Sequence, residues 1–179
     1  MTYFALVLAL VTPPQAARPA QIILFRHAEK PADKTNPHLS AAGMRRARLL
    51  VGFLRANPVV NQYGKPVAIF ATRTTKDDDG QRTQETVAPA AAALKLRVQT
   101  PFLGKNYKQL AKRILGNPAY AGKTVVICWN HDVLAELAAE LGVSPKPPAW
   151  KGQEYDQVYV IAFRGKEATL TVIAQNLRP

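Results

Sequence analysis

Residues 22–30, "IILFRHAEK", set four apolar residues directly against an arginine, a histidine and two further charges. The apolar part has the length and β-branched character of a strand buried on both faces, as strands are in sheets covered by helices on both sides. The abrupt change to charge marks the strand's carboxyl end. In open α/β sheets ligands bind in the crevice beyond those ends, so Arg26, His27 and Glu29 fall where a site is expected.

Further strand candidates follow: "VAIFA", "TVVICW", "QVYVIAF" and "TLTVIA". The last two are separated only by the polar "RGKEA" and read as a C-terminal hairpin. Between the others lie helical patterns. In the first, Ser40 stands as cap, Leu39 and Met44 have staple spacing, and Met44, Ala47, Val51 and Leu54 form the apolar face, with arginines on the solvated side. "NYKQLAKRIL" turns Tyr107, Leu110, Ala111 and Ile114 inward. "DVLAELAAELG" does the same with Val133, Leu134, Leu137, Ala138 and Leu141, and Gly142 ends it. "RTQETVAPAAAAL" is helical in composition and carries Pro89, where a kink is expected. "VSPKPPAWKG" reads as a surface connection. The alternation predicts an α/β fold: three layers, α/β/α, with a central, mostly parallel sheet and a C-terminal hairpin.

The chain has 179 residues, enough for one well-packed core. Basic residues outnumber acidic ones 24 to 12, a formal charge of +12 that favours anionic partners. The basic residues are dispersed and no aromatic-rich basic stripe accompanies them, so nucleic acid is not expected as a partner. The single cysteine, Cys128, lies inside "TVVICW"; it excludes an intrachain disulfide and a cysteine metal site, and reads as a buried, inert thiol. "KDDDG" lacks the ligand spacing of a calcium loop and reads as solvated.

The apolar stretch from Tyr3 to Val11 is too short to span a bilayer. With the small residues around Ala16 and Ala17 it makes residues 1–17 a candidate signal peptide, followed by a domain over residues 18–179, and points to a secreted or periplasmic protein. The positively charged n-region is missing apart from the terminal amine. An additional N-terminal strand or a misassigned start is the alternative, and would leave the protein cytoplasmic.

Two more strand ends bear on chemistry. "TVVICW" runs into Asn130, His131 and Asp132, so two of the three histidines stand at the carboxyl ends of apolar strands. "VAIFATRTTKDDDGQRTQETVAP" runs through a polar loop into a helix whose first turn carries Arg82. A guanidinium there, beside the free N–H groups of a helix start, suits a phosphoryl group, and Arg73 is the competing candidate. Asp132 stands at the start of the helix that follows, in the place of a cap.

The strand ending in "FRHAEK", the helix entry "LSAAGMRRA", the "RTQETVAP" segment and "GKTVVICWNH" resemble, in order and separation, the histidine phosphatase superfamily, the phosphoglycerate mutase-like proteins, in a small bacterial-type phosphatase member. The match covers nearly all of the chain from about Gln21. The resemblance implies a phosphatase acting on phosphomonoesters, either small molecules or phosphoproteins. His27 would be the nucleophile that carries the phosphoryl group, with Arg26, Arg82 and His131 around its oxygens, and neither metal nor cofactor would be needed. The pattern departs in three places. Ala28 replaces the usual glycine, the loop before Arg82 is longer, and the glutamate segment that supplies the proton donor in phosphoglycerate mutases is missing. Asp132 is the substitute the resemblance suggests, by likeness to the acid phosphatase branch, and the helix-cap reading weighs equally against it. A non-catalytic module that binds phosphate or a phosphoprotein through the same cationic pocket is the competing class.

Overall fold

The computed structural model describes residues 18–33, 35–75 and 80–179, so the candidate signal peptide at 1–17 and residues 76–79 of the "KDDDG" loop lie outside the described residues. In chain order the elements are β1 (Gln21–Arg26), α1 (Ala41–Ala56), β2 (Ala68–Phe70), α2 (Gln81–Leu94), β3 (Val98–Gln99), α3 (Tyr107–Leu115), β4 (Thr124–Trp129), α4 (Leu134–Glu140), β5 (Gln157–Arg164) and β6 (Glu167–Ala174). One sheet runs β3-β2-β4-β1-β5-β6. The first four strands pair in parallel, while β5 and β6 join as the expected antiparallel hairpin.

Every residue of β1 and of β4 is buried, because helices cover both faces of the sheet centre. Alternate side chains therefore enter two different cores. Ile22 and Leu24 pack with Leu110, Ile114, Leu134 and Leu137 of α3 and α4. Ile23 and Phe25 pack with Leu50, Phe53 and Leu54 of α1 and with Val87, Ala90 and Ala91 of α2. The predicted three layers result, and Arg26 continues the alternation onto the α3/α4 side.

The first helix is turned differently from the expected face. Ser40 does cap it, accepting from the Gly43 N–H at 3.1 Å. However, Met44 is 40% exposed and Val51 only half-buried, whereas Gly43, Arg46, Ala47, Leu50, Phe53 and Leu54 face inward. Arg46 is thus not part of a solvated arginine face. It is rotated inward by partners remote in sequence: its Nε donates to Glu29 Oε1 at 2.8 Å, its Nη2 forms an ion pair with the same oxygen at 2.8 Å, and its Nη1 donates to Gln175 Oε1 at 3.1 Å. Gly43 explains how the helix start comes so close to the site, since a Cβ there would overlap the Glu29 carbonyl.

Helix α2 runs continuously through Pro89. One turn of 3-10 helix, His131–Val133, separates β4 from α4, which shortens the last helix by comparison with its apolar pattern. Gly142, with φ of 102°, takes the left-handed conformation that ends it. The proline-rich connection is anchored as well as exposed: Val143 and Trp150 are buried, and the Trp150 ring lies 4.7 Å from that of Tyr159.

Candidate functional site

The site forms where β1 and β4 end in register, with Arg26 opposite Trp129. His27 follows β1 directly and His131 follows β4 after Asn130, their ring centroids 6.2 Å apart and their planes at 89°. Trp129 fixes the end of β4 by donating its Nε1–H to the Gly104 carbonyl at 2.8 Å.

His27 is buried, and its Nδ1 lies 2.6 Å from the Ala28 carbonyl oxygen. A carbonyl can only accept, so Nδ1 carries the proton and the lone pair of the neutral ring is on Nε2. The loop bearing this carbonyl is fixed to α2, because the Ala28 N–H donates to Thr86 Oγ1 at 2.8 Å, and Thr86 Oγ1 donates to the Arg82 carbonyl at 2.7 Å. Burial, followed by the charges of Arg26, Arg82 and His131, lowers the His27 pKa to about 3, against the rise from its bond to Ala28. The imidazole is therefore neutral at physiological pH. His131 is also shifted down by burial and by Arg26, with Asp132 opposing.

Arg26 is 1% exposed, and desolvation lowers its pKa. Its Nη1 donates to the Gly152 carbonyl at 2.6 Å, with the Lys151 and Glu154 carbonyls at 3.3 and 3.5 Å. Its carbon Cζ lies 4.0 Å from the centroid of the Tyr155 ring. Its Nε and Nη2 are buried and have no hydrogen-bond partner among the described residues. Buried polar groups are almost always satisfied, so two orphan donors on a guanidinium beside a neutral imidazole call for an anionic acceptor.

Arg82 and Arg73 are separated clearly by the structure. Arg82 is half-buried, donates Nη1 to the Asn36 carbonyl at 2.8 Å, and acts electrostatically on His27. Arg73 is exposed and donates Nη2 to the Pro101 carbonyl. Arg82, together with Arg26 and His131, helps to lower the His27 pKa.

Asp132 is exposed and caps neither turn that follows it: the cap positions are Asn130 and Val133, and neither makes a side-chain cap bond. The other carboxylates nearby are engaged. Glu29 Oε1 accepts from Arg46; Glu85 accepts from the Leu39 N–H at 2.9 Å and has its Oε1 2.5 Å from His38 Nδ1; Glu154 Oε1 accepts from the Asp156 N–H at 3.0 Å. Cys128 is fully buried and its thiol pKa is pushed up by desolvation, in keeping with an inert core residue. Among the described residues no three His, Cys, Asp or Glu side chains gather in a group able to hold a metal ion, and no helix is long and apolar enough to cross a membrane.

The segment Lys151–Tyr155 was not visible as part of the site in the sequence. Its carbonyls hold Arg26, Tyr155 lies 6.2 Å from the His27 ring, and a Cβ on Gly152 would stand 3.7 Å from His131 Nε2. Backbone carbonyls leave no residue-type signal; the aromatic after "WKGQE" is the one trace that could have been followed.

No protein-family model and no curated protein matches the sequence. Solved structures do. The alpha-ribazole phosphatase of Shigella flexneri is 16% identical, with a TM-score of 0.57 over 86% of this chain and 96% of that one. A mycobacterial glucosyl-3-phosphoglycerate phosphatase, solved with inorganic phosphate, is 14% identical, with a TM-score of 0.56 over 89% and 100%. The phosphoglycerate mutase of Bacillus anthracis is 12% identical, with a TM-score of 0.55 over 89% and 94%. The chain shares the α/β fold of these solved structures.

Proposed function

We propose that the protein is a metal-independent phosphatase that hydrolyses phosphomonoesters, of small molecules or phosphoproteins, through a phosphohistidine at His27. The observation that carries this reading is the pairing of a neutral imidazole, its Nε2 lone pair available, with a buried guanidinium whose Nε and Nη2 have no partner among the described residues.

In the first half-reaction the Nε2 lone pair forms a bond to phosphorus as the bond to the ester oxygen breaks, and Asp132 gives its proton to the departing oxygen. In the second, water attacks phosphorus, the P–N bond breaks with its electron pair returning to Nε2, and the Asp132 carboxylate takes the water's proton. Arg26, Arg82 and His131 surround the equatorial oxygens. Phosphoryl transfer leaves the protein little covalent work beyond the nucleophile, so positioning and charge stabilisation supply most of the acceleration. Depressing the His27 pKa keeps the ring nucleophilic, and the cations that help depress it also attract a dianionic ester.

Steady-state hydrolysis of nitrophenyl phosphate tests the reading. Turnover should survive exhaustive chelation, be inhibited by vanadate and vanish in His27→Ala. Loss on chelation with recovery on adding a divalent ion, or full activity in His27→Ala, would overturn it. Export is part of the proposal, with residues 1–17 as the cleaved signal; the mature protein should begin at or near Arg18, and an intact Met1 in the cell's soluble fraction would contradict that.

A further inference from the structure

We infer that the segment Lys151–Tyr155 is a cradle that presents one edge of the Arg26 guanidinium to the phosphoryl group, and that Tyr155 is the positioning residue that holds the guanidinium plane. This rests on the phosphate-site reading above and adds to it a wall that neither strand end supplies.

A guanidinium has five N–H groups in a rigid planar fork. In Arg26 the cradle occupies only one arm, with the carbonyls of Lys151, Gly152 and Glu154 grouped around Nη1. The unpartnered Nε and Nη2 lie on the opposite edge of the same plane. That edge offers two parallel N–H bonds, the geometry that accepts two oxygens of one phosphoryl group. Rotation about the last side-chain bonds would aim a different edge at the ligand. Two contacts oppose it: the short bond to Gly152, and the Tyr155 ring, which lies against the guanidinium at 4.0 Å.

The cradle is itself stiffened. Trp150 is buried, packs on Tyr159, and donates Nε1–H to the Glu154 carbonyl at 2.7 Å, while the Glu154 N–H donates to the Lys151 carbonyl at 3.0 Å. Asp156, directly after Tyr155, accepts from Arg46 Nη1 at 3.3 Å, and Arg46 also binds Glu29, two residues beyond His27. The segments bearing the nucleophile and the cradle are therefore held by one buried arginine.

The test measures inorganic phosphate affinity by calorimetry alongside nitrophenyl phosphate turnover, for the wild type, Tyr155→Phe, Tyr155→Leu and Tyr155→Ala, with Tyr155→Leu repeated in an Arg26→Ala background. Small misplacements of a transition-state contact cost up to about 100-fold, so Tyr155→Leu and Tyr155→Ala should each lose roughly 10- to 100-fold in kcat/KM and weaken phosphate binding, while Tyr155→Phe stays within about threefold of wild type. Once Arg26 is gone, Tyr155→Leu should have no further effect on phosphate affinity. Tyr155→Leu that folds and binds phosphate as tightly as wild type, or the same loss with and without Arg26, would overturn the cradle. A wild type that binds phosphate without turning over ester would instead sink the hydrolytic reading, and the cradle would stand or fall on the binding data alone.

Discussion

Arg82 and Arg73 differ in what their charges reach, and that difference predicts their mutants. Arg82 acts on His27, whereas Arg73 is exposed with its Nη2 on the Pro101 carbonyl. Arg82→Ala should lower kcat/KM by about 100- to 1000-fold, the usual cost of a donor that stabilises transition-state charge. Arg73→Ala should stay within about threefold, and the opposite ranking would show that the oxyanion pocket lies nearer β2. Asp132 is tested by its leaving group. General-acid help matters most for basic departing oxygens, so Asp132→Asn should cost far more on glycerol phosphate than on nitrophenyl phosphate, with the thermal midpoint unchanged because the side chain caps no helix. Equal losses on both esters would move the donor's role elsewhere.

The elements legible in the sequence are those whose character is local. Apolar runs gave β1 and β4 because both are buried along their whole length, and their abrupt polar ends located Arg26, His27 and His131. The orientation of α1 was not legible. Its inward face is chosen by contacts that no heptad or 3.6-residue count contains, namely Arg46 with Glu29, Asp156 and Gln175, and Gly43 against Glu29. The two-residue β3 is too short to show a period, and the Lys151–Tyr155 cradle works through backbone carbonyls. Two glycines of α1 turn this into a prediction. Alanine favours a helix over glycine by about 1 kcal/mol. Gly52→Ala, with nothing within 4 Å of the added Cβ, should raise the thermal midpoint. Gly43→Ala should lower it and reduce kcat, because the added carbon meets the Glu29 backbone and must displace the loop that carries His27. A stabilised, fully active Gly43→Ala would show that this close approach is not part of the site's construction.

At the scale of the whole molecule the buried neutral histidine ties catalysis to stability. The His27 pKa falls from 6.5 to about 3 on folding, so between those values the unfolded chain binds the extra proton. The stability from keeping it neutral is fully present above about pH 6.5 and is lost as pH falls towards 3, by up to about 1.4 kcal/mol per unit for one group. Urea midpoints should therefore drop between pH 7 and pH 5 in the wild type, and drop less in His27→Ala; an identical drop in both would mean that the folded protein protonates His27 as readily as the unfolded chain. The same neutral ring is the proposed nucleophile, and single-turnover labelling with a phosphorylated substrate, quenched in alkaline detergent, examines it most directly. The phosphoryl group should be lost in acid, stable in base, carried on the peptide containing His27 and absent from His27→Ala. A label that survives acid, or one that persists in His27→Ala, would contradict it.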